Sequence, residues 1–419
     1  MSRNRFTTFA DRDGVLHCEQ VDLRQVAEQF GTPAYVYSAS AIRGALVDYR
    51  SGLSGVPHLV CYAVKANPCR AILRIVAGEG GGADLTSVGE MRQALRAGIQ
   101  AERMVFSGVG KRPDEIQAGV EAGVLMLNAE SGEELRLIDR IARNIGKRAG
   151  IALRINPNID PKTHPKISTG LRRNKFGIET ESAVQLYHQA RKMRGVEIRG
   201  IACHIGSSII DSAPLLEACD LLVDLRRQLA EDGIWLPYLD LGGGLGIRYH
   251  DECPDTPGQY AQRLSDRLKS FDGTLILEPG RSVVGNAGVL LSTVLYRKDN
   301  GERVFDILDA AMNDLVRPAM YGAYHEILPV VDQARETEVA DVVGPICETG
   351  DTFAYEREIP HLERGDLVAV MSAGAYCMAM ASQYNGRPRP AEILVEGDTF
   401  RLVRRRERIE DLWREDIEE

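Results

Sequence analysis

The sequence predicts an α/β protein: a (β/α)8 TIM-like barrel followed by a β-rich second domain. Three observations carry this. From about position 58, short apolar, β-prone runs alternate with stretches of helical periodicity. There are roughly eight such units, in about the length that an eight-fold barrel needs. After Arg281 the alternation stops, and apolar runs separated by short turns take over. A doubly wound parallel sheet would show the same alternation, so count and length decide between the two.

In chain order, the strand-like runs are HLVCYAVKAN (58–67), GADLTS (82–87), MVFSG (104–108), VLMLNAE (124–130), IALRINP (151–157), EIRGIACHIG (197–206), YLDLGGGLG (238–246) and LILEPGR (275–281). Helix-like segments lie between them, among them PDEIQAGVEAG (113–123), SGEELRLIDRIARNIG (131–146), SAVQLYHQARKMRG (182–195) and SAPLLEACDLLVDLRRQLAEDG (212–233). Several begin at a cap residue and end near glycine. Two connections are long and rich in Gly or Pro, NPNIDPKTHPKISTG and HDECPDTPGQ, as loops on a catalytic face often are. The barrel is placed at 35–280. The β-rich domain is placed at 1–34 and 281–419, with PAYVYS (33–38) at the junction a strand that could join it. The tail RRRERIEDLWREDIEE (404–419) reads as an exposed charged helix.

The bulk composition narrows the function classes. A chain of 419 residues with 44% hydrophobic and 26% charged residues can bury substantial cores. A formal net charge of −9 speaks against a nucleic-acid partner, because phosphate binding favours a basic surface. The eight cysteines include no C-x-x-C pair, and no histidine pair has zinc spacing, so no metal centre is expected. MSRNRFTTFADRDG lacks the apolar run of a signal peptide, and no stretch is apolar enough to span a bilayer. A cytoplasmic protein with no membrane partner is expected.

Polar residues gather at the ends of the strand-like runs, where barrel enzymes place their chemistry. Lys65 ends the first run, Asp84 the second, Asn156 the fifth, His204 the sixth, a GGGLG cluster the seventh, and Glu278 with Arg281 the eighth. Lys65 sits among apolar and small residues. Desolvation lowers the pKa of such an amine, as imine formation requires. A lysine reaching solvent from a strand end would look the same. Gly242, Gly243, Gly244 and Gly246 let backbone N–H groups approach an anion, and the loops after strands seven and eight commonly hold phosphate in such barrels. A tight strand-to-helix turn would be equally glycine-rich. EPGR, from Glu278 through Pro279 and Gly280 to Arg281, offers a carboxylate for a pyridine nitrogen and a guanidinium for a phosphate or carboxylate. A surface ion pair is the plain alternative. His204, in ACHIGSS, suits either a satisfied core histidine or a ring stacked on a flat cofactor, and Ser207 and Ser208 could add hydroxyls to an anion.

Taken together, YAVKAN, HIGS, GGGLG and EPGR resemble the barrel of the fold-type-III pyridoxal-phosphate decarboxylases. RPAMYGAYHEI, VGPICETGD, SAGAYCMAMASQYN and STGLRRNKFGI resemble the signature segments of the diaminopimelate decarboxylase family, in that family's order, over about positions 30 to 400. The resemblance implies an alanine-racemase-like fold. It implies decarboxylation of meso-2,6-diaminopimelate to L-lysine and CO2 through a pyridoxal 5'-phosphate Schiff base on Lys65, the last step of lysine biosynthesis. It further implies that His204 stacks on the ring and that Ser207, Gly243, Gly244 and the Pro279–Gly280–Arg281 turn hold the phosphate. Glu278 then pairs with the pyridine nitrogen. Arg281, Arg317, Tyr321 and Glu348 recognise substrate, Tyr376 touches cofactor and substrate, and Cys347 donates a proton. A homodimer is implied too, with the Cys347–Glu348 segment reaching the partner's site.

Three positions depart from the family pattern. Val88 stands where a second glycine is usual, which loosens the carry-over to Asp84. Lys166 replaces an aromatic residue, and Cys377 replaces a glycine. Rival readings are a decarboxylase for ornithine, arginine or carboxynorspermidine, an alanine-racemase-like enzyme, and a decarboxylase-like regulatory protein. Ornithine-type enzymes tend to carry aspartate after the cysteine, where this chain has Glu348. Racemases favour arginine at the pyridine nitrogen, where it has Glu278. Regulators usually lose site residues that are all present here.

Overall fold

The computed structural model describes residues 8–161, 163, 169, 170 and 174–417. The chain divides into two compact units. One comprises Arg43–Ile247 and Cys253–Val283; the other comprises Met1–Ile42, Arg248–Glu252 and Val284–Glu419.

The first unit is a closed parallel barrel. Its eight strands are β1 (His58–Ala63), β2 (Gly82–Leu85), β3 (Met104–Phe106), β4 (Met126–Ala129), β5 (Ala149–Asn156), β6 (Val196–Cys203), β7 (Tyr238–Asp240) and β8 (Thr274–Leu277). Each pairs with the next, and β8 returns to β1 with Leu275 opposite His58. Every strand-like run of the sequence thus supplies one barrel strand. A parallel sheet covered on both faces requires nearly continuous apolar strands. The pattern is met: Leu59, Cys61, Val105, Leu125, Met126, Ala152, Ala202 and Ile276 form one buried cluster.

Seven helices follow the first seven strands: α1 (Arg70–Gly78), α2 (Val88–Ala97), α3 (Pro113–Ala122), α4 (Gly132–Asn144), α5 (Thr180–Ala190), α6 (Ala213–Glu231) and α7 (Pro257–Arg267). Their starts are written locally. Ser87 accepts from Glu90 N–H, Ser131 accepts from Glu134 N–H, and Thr256 and Gln259 cap each other reciprocally. Gly98 and Gly123 end α2 and α3 in the left-handed conformation. Val88 is the first residue of α2, directly after its Ser87 cap, a position that makes no demand for glycine.

The second unit is built on a mixed sheet. Its strands run in the order Thr352–Pro360, Thr337–Val343, Val304–Leu308, Gly288–Asp299, Ala34–Ser38, Ala391–Glu396 and Thr399–Arg404. Leu367–Val370 also pairs with Gly288–Asp299, and Ile327–Pro329 pairs with Leu367–Val370. The PAYVYS run forms a central strand here, antiparallel to Gly288–Asp299 and parallel to Ala391–Glu396. It is buried along its whole length, as a strand with a neighbour on each side should be. Val36, Val289, Leu291, Ala369, Met371 and Ile393 belong to the core beneath.

The tail corrects one expectation. No α-helix forms over 404–417. Arg404 ends a strand, and only Ile409–Trp413 turns, as a 3-10 helix. The tail is too polar to bury a helical face, and short isolated helices are marginal without one. Lys166 lies outside the described residues.

Candidate active site

The C-terminal ends of the barrel strands bring most of the singled-out residues of this unit together. Lys65 sits in a short 3-10 turn, Val64–Ala66, directly after β1. Its ammonium contacts Asp84 Oδ2 at 2.6 Å. Asp84 is fully buried at the end of β2, and its Oδ1 has no hydrogen-bond partner. The pairing lies between two neighbouring strand ends, set by the β1–β2 register that places Ala63 opposite Asp84.

Two further carboxyls share the barrel mouth. Glu278 follows β8 and Asp240 ends β7; both are buried, and their side chains hydrogen-bond each other. Burial, then the neighbouring Asp240 and Asp84, push the Glu278 carboxyl well above the ordinary range. Burial likewise pushes Asp240 up to about 6. Asn128 Nδ2 donates to Asp240 Oδ2 at 3.1 Å and to Ser107 Oγ at 3.2 Å, and Ser107 Oγ donates to Glu278 Oε1 at 3.4 Å.

His204 follows β6. Its Nδ1 accepts from Gly243 N–H at 3.2 Å, which leaves the ring proton on Nε2. Burial, then the nearby cations Arg154 and Lys65, hold the imidazole neutral by pushing its pKa well below the usual value. The glycine run is packed against both neighbouring loops. A Cβ on Gly243 would collide with the carbonyl oxygen of Glu278, and one on Gly244 would come within 2.7 Å of the Gly206 carbonyl. Arg281 donates from Nη2 to Ser207 Oγ at 3.1 Å, and Ala63 N–H donates to the Pro279 carbonyl at 3.0 Å. At Gly280 the carbonyl accepts from Val283 N–H, opening the short helix Arg281–Val284.

The arrangement has two chemically different ends. Asp84, Asp240 and Glu278 crowd three acidic groups about one lysine, an excess that a cationic ring nitrogen would offset. The glycine turn, the Ser207 hydroxyl and the Arg281 guanidinium suit an anion such as phosphate. A neutral imidazole lies at the glycine turn, and a lysine amine lies beside the acids. This donor set fits pyridoxal phosphate, whose aldehyde takes an amine, whose nitrogen takes an acid and whose phosphate takes a cradle.

Asn156, also singled out in the sequence, turns elsewhere: it donates to the Phe176 carbonyl at 3.0 Å and accepts from Asn158 N–H. Sequence reading passed over Asp240, Ser107 and Asn128. Asp240 had a signal, being the strand-end acid directly before the glycines. Ser107 and Asn128 had none beyond strand-end position.

The remaining expected residues lie in the β-rich unit. Arg317 is buried, donates from Nη1 to His325 Nε2 at 2.9 Å and lies over the Tyr249 ring at 4.8 Å. His325 Nδ1 donates to the Met371 carbonyl at 2.8 Å, which leaves Nε2 free to accept. Tyr321 closes the same short helix, Arg317–Tyr321. Cys347 and Glu348 are exposed, in the loop between strands Thr337–Val343 and Thr352–Pro360. Cys347 N–H donates to Asn385 Oδ1 at 3.0 Å, and the Tyr384 hydroxyl donates to Glu348 Oε2 at 2.8 Å. Tyr376 has a positive φ of 57°, a conformation that L-residues adopt only under local constraint. Its neighbour Cys377 has φ −111° and is buried, so glycine is not needed there. Tyr249 and Tyr384 were not foreseen, because their partners are distant in sequence; His325 was passed over although its partner Arg317 lies in the same segment.

A family model described as the pyridoxal binding domain of pyridoxal-dependent decarboxylases matches residues 40–285. Fold, donor set and this match define a pyridoxal-phosphate-dependent decarboxylase of the barrel type. The diaminopimelate decarboxylase of Aquifex aeolicus is 48% identical over 397 residues, 94% of each chain. That of Pseudomonas aeruginosa is 47% identical over 406 residues, 97% of this chain and 98% of the relative. The crystal structure of diaminopimelate decarboxylase from M. jannaschii in complex with L-lysine matches with a TM-score of 0.94 at 39% identity, covering 100% of this chain and 99% of that one. The chain belongs to the diaminopimelate decarboxylase family. Among the described residues, no helix is long and apolar enough to cross a membrane, and no group of three or more His, Cys, Asp or Glu could hold a metal ion.

Proposed function

We propose that this chain decarboxylates meso-2,6-diaminopimelate to L-lysine and CO2, the last step of lysine biosynthesis. The observation that carries the reading is the single barrel mouth where the Lys65 amine, the buried acids and the glycine–arginine cradle meet. When bound, pyridoxal phosphate supplies the electron sink for the charge left on carbon as CO2 departs. The chain's residues do the rest. Lys65 provides the amine that attaches the cofactor, and Asp84 fixes that amine's direction. Glu278 holds a proton on the ring nitrogen. His204, neutral and tethered by Gly243, would face the ring. Gly243, Gly244, Ser207 and the Pro279–Gly280–Arg281 turn would hold the phosphate.

The substrate carries an amino-acid head at each end, so its far end needs a cation and an anion. Arg281, Arg317, Tyr321 and Glu348 supply these, and Tyr376 touches both cofactor and substrate. Cys347 returns a proton to carbon as general acid. The exposed position of Cys347 and Glu348 suits a segment that completes a partner's site, so the working form is a homodimer with shared sites. None of the eight cysteines is paired in a disulfide among the described residues, in keeping with a reducing cytoplasm.

Incubation of the purified protein with pyridoxal phosphate and meso-diaminopimelate should yield lysine and CO2 in equal amounts. Turnover of ornithine or arginine in its place would refute the substrate assignment.

A further inference from the structure

The reading above gives Asp240 no role of its own, yet it lies at the barrel mouth against Glu278. It is fully buried at the end of β7. Its Oδ1 accepts from Gly242 N–H at 2.9 Å, its Oδ2 accepts from Asn128 Nδ2 at 3.1 Å, and its carboxyl also hydrogen-bonds Glu278. Two ionised carboxylates have no donor between them, so this contact requires one proton. Asp240 already accepts from two N–H donors, which favour its ionised form. Among the described residues, the Glu278 carboxyl accepts a long contact from Ser107, at 3.4 Å. The proton therefore sits on Glu278, and Glu278 donates to Asp240. Other charged and titratable groups bear on the pair. Lys65 faces it from the end of β1 and Asp84 from β2, while the thiols of Cys61 on β1 and Cys203 on β6 lie nearby, both held neutral by burial.

We propose that Asp240 is a positioning residue that keeps Glu278 protonated until the cofactor enters, so that the ring nitrogen takes its proton from this carboxyl pair rather than from solvent. The inference rests on the pyridoxal reading. In the step, the O–H bond of Glu278 breaks and an N–H bond forms on the ring nitrogen. The pair passes from one negative charge to two, and the ring gains one positive charge. No other reactant is consumed. Asp240 then remains ionised behind Glu278, and the two negative charges together make loss of the ring proton harder. Asn128 serves the same end one step back, since its amide orients the Asp240 carboxylate.

The test is a count of protons. The full-length, cofactor-free protein is titrated calorimetrically with pyridoxal phosphate in mildly alkaline buffers of differing ionisation enthalpy. Asp240→Asn keeps the size of the side chain and an acceptor for Gly242, but removes the anion that holds the Glu278 proton, so Glu278 gives that proton up more readily in mildly alkaline buffer. That variant should take up roughly one proton more per cofactor bound than the wild type, because its ring nitrogen must draw on solvent. Protons released by Lys65 on attachment are common to both proteins and cancel. Equal uptake by the two proteins would overturn the proposal and leave Asp240 as a loop-shaping residue. Failure of the wild type to bind the cofactor at all would instead overturn the pyridoxal reading. If the variant does not fold, infrared difference spectra of the wild type decide. A protonated-carboxyl C=O band should be present before the cofactor is added and lost afterwards, and no band beforehand would refute the pair.

Discussion

At the scale of single residues, the site is a problem of charge in a confined space. Among the described residues, Lys65 is the cation paired with Asp84, and its amine is held at 2.6 Å from that buried carboxylate. Lys65→Ala should abolish both turnover and the visible absorbance of attached cofactor; an active, coloured variant would contradict the attachment role. In the proposed mechanism Cys347 has a different task, acting after the carbon–carbon bond has broken. Cys347→Ala should lower kcat by roughly 10²–10⁴-fold while KM changes little, the mark of a group that acts by proton transfer in the transition state. Steady-state kinetics with meso-diaminopimelate would reveal it, and an unchanged kcat would remove the acid role. The sequence singles out both residues because each stands in a recognisable segment, YAVKAN and PICETG. Asp240 had only its place at a strand end before the glycines as a signal, and that gains meaning when Glu278 is found against it.

At the scale of elements, the strand–loop junctions do the positioning. The turn after β7 runs so close to the one after β8 that Gly243 has no room for a methyl group beside the Glu278 carbonyl. Glu278 N–H in turn donates to the Gly242 carbonyl at 2.7 Å, which locks the two turns together. Gly243→Ala should therefore cost about 1–3 kcal/mol of stability, as overpacking does, and weaken cofactor binding with it. Denaturant melts with and without pyridoxal phosphate would measure both, and wild-type behaviour in each would refute the close approach. The helices were legible for local reasons: Ser87, Ser131 and Thr256 announce their starts, and glycines close two of them. The tail was misread for want of such a reason. Its charges match a solvated helix, but nothing apolar holds one down, and only a five-residue 3-10 turn forms.

At the scale of the whole molecule, buried acids set the pH response and the proposed dimer sets the activity. Asp314, in the β-rich unit, is fully buried, and burial pushes its carboxyl up to about 7. An unfolded aspartate titrates near 3.9. Between these values the folded chain holds a proton that the unfolded chain has released, so this group's contribution falls as pH rises through the window and is constant above it. Asp314→Asn, which stays neutral, should melt near the wild type at pH of about 4 and above it at neutral pH, by an amount on the order of 1–4 kcal/mol. Calorimetry across that range tests the sign; a gap that closes with rising pH would reverse it. Shared sites make a sharper claim. Lys65→Ala and Cys347→Ala protomers, each inactive as homodimers, should recover about a quarter of wild-type activity on exchange, because half the dimers then hold one intact site. No recovery despite proven exchange would place both residues in one protomer's site.

The sequence by itself determined the barrel, because eight buried parallel strands demand apolar runs and their helices demand amphipathic ones, and both demands are met locally. It also determined which strand ends carry Lys65, His204, the glycines and Glu278, since those residues lie next to their strands along the chain. The tertiary structure alone decided which of them touch. Asp84 meets Lys65, Asn128 meets Asp240, and Ser107 and Asp240 meet Glu278, because ring closure brings strands separated by tens of residues within hydrogen-bond reach. The same holds for the strand Ala34–Ser38, which precedes the barrel in the chain but pairs with strands that follow it. Local pattern can specify an element and its inward face; it carries no information about distant partners, which depend on register and closure.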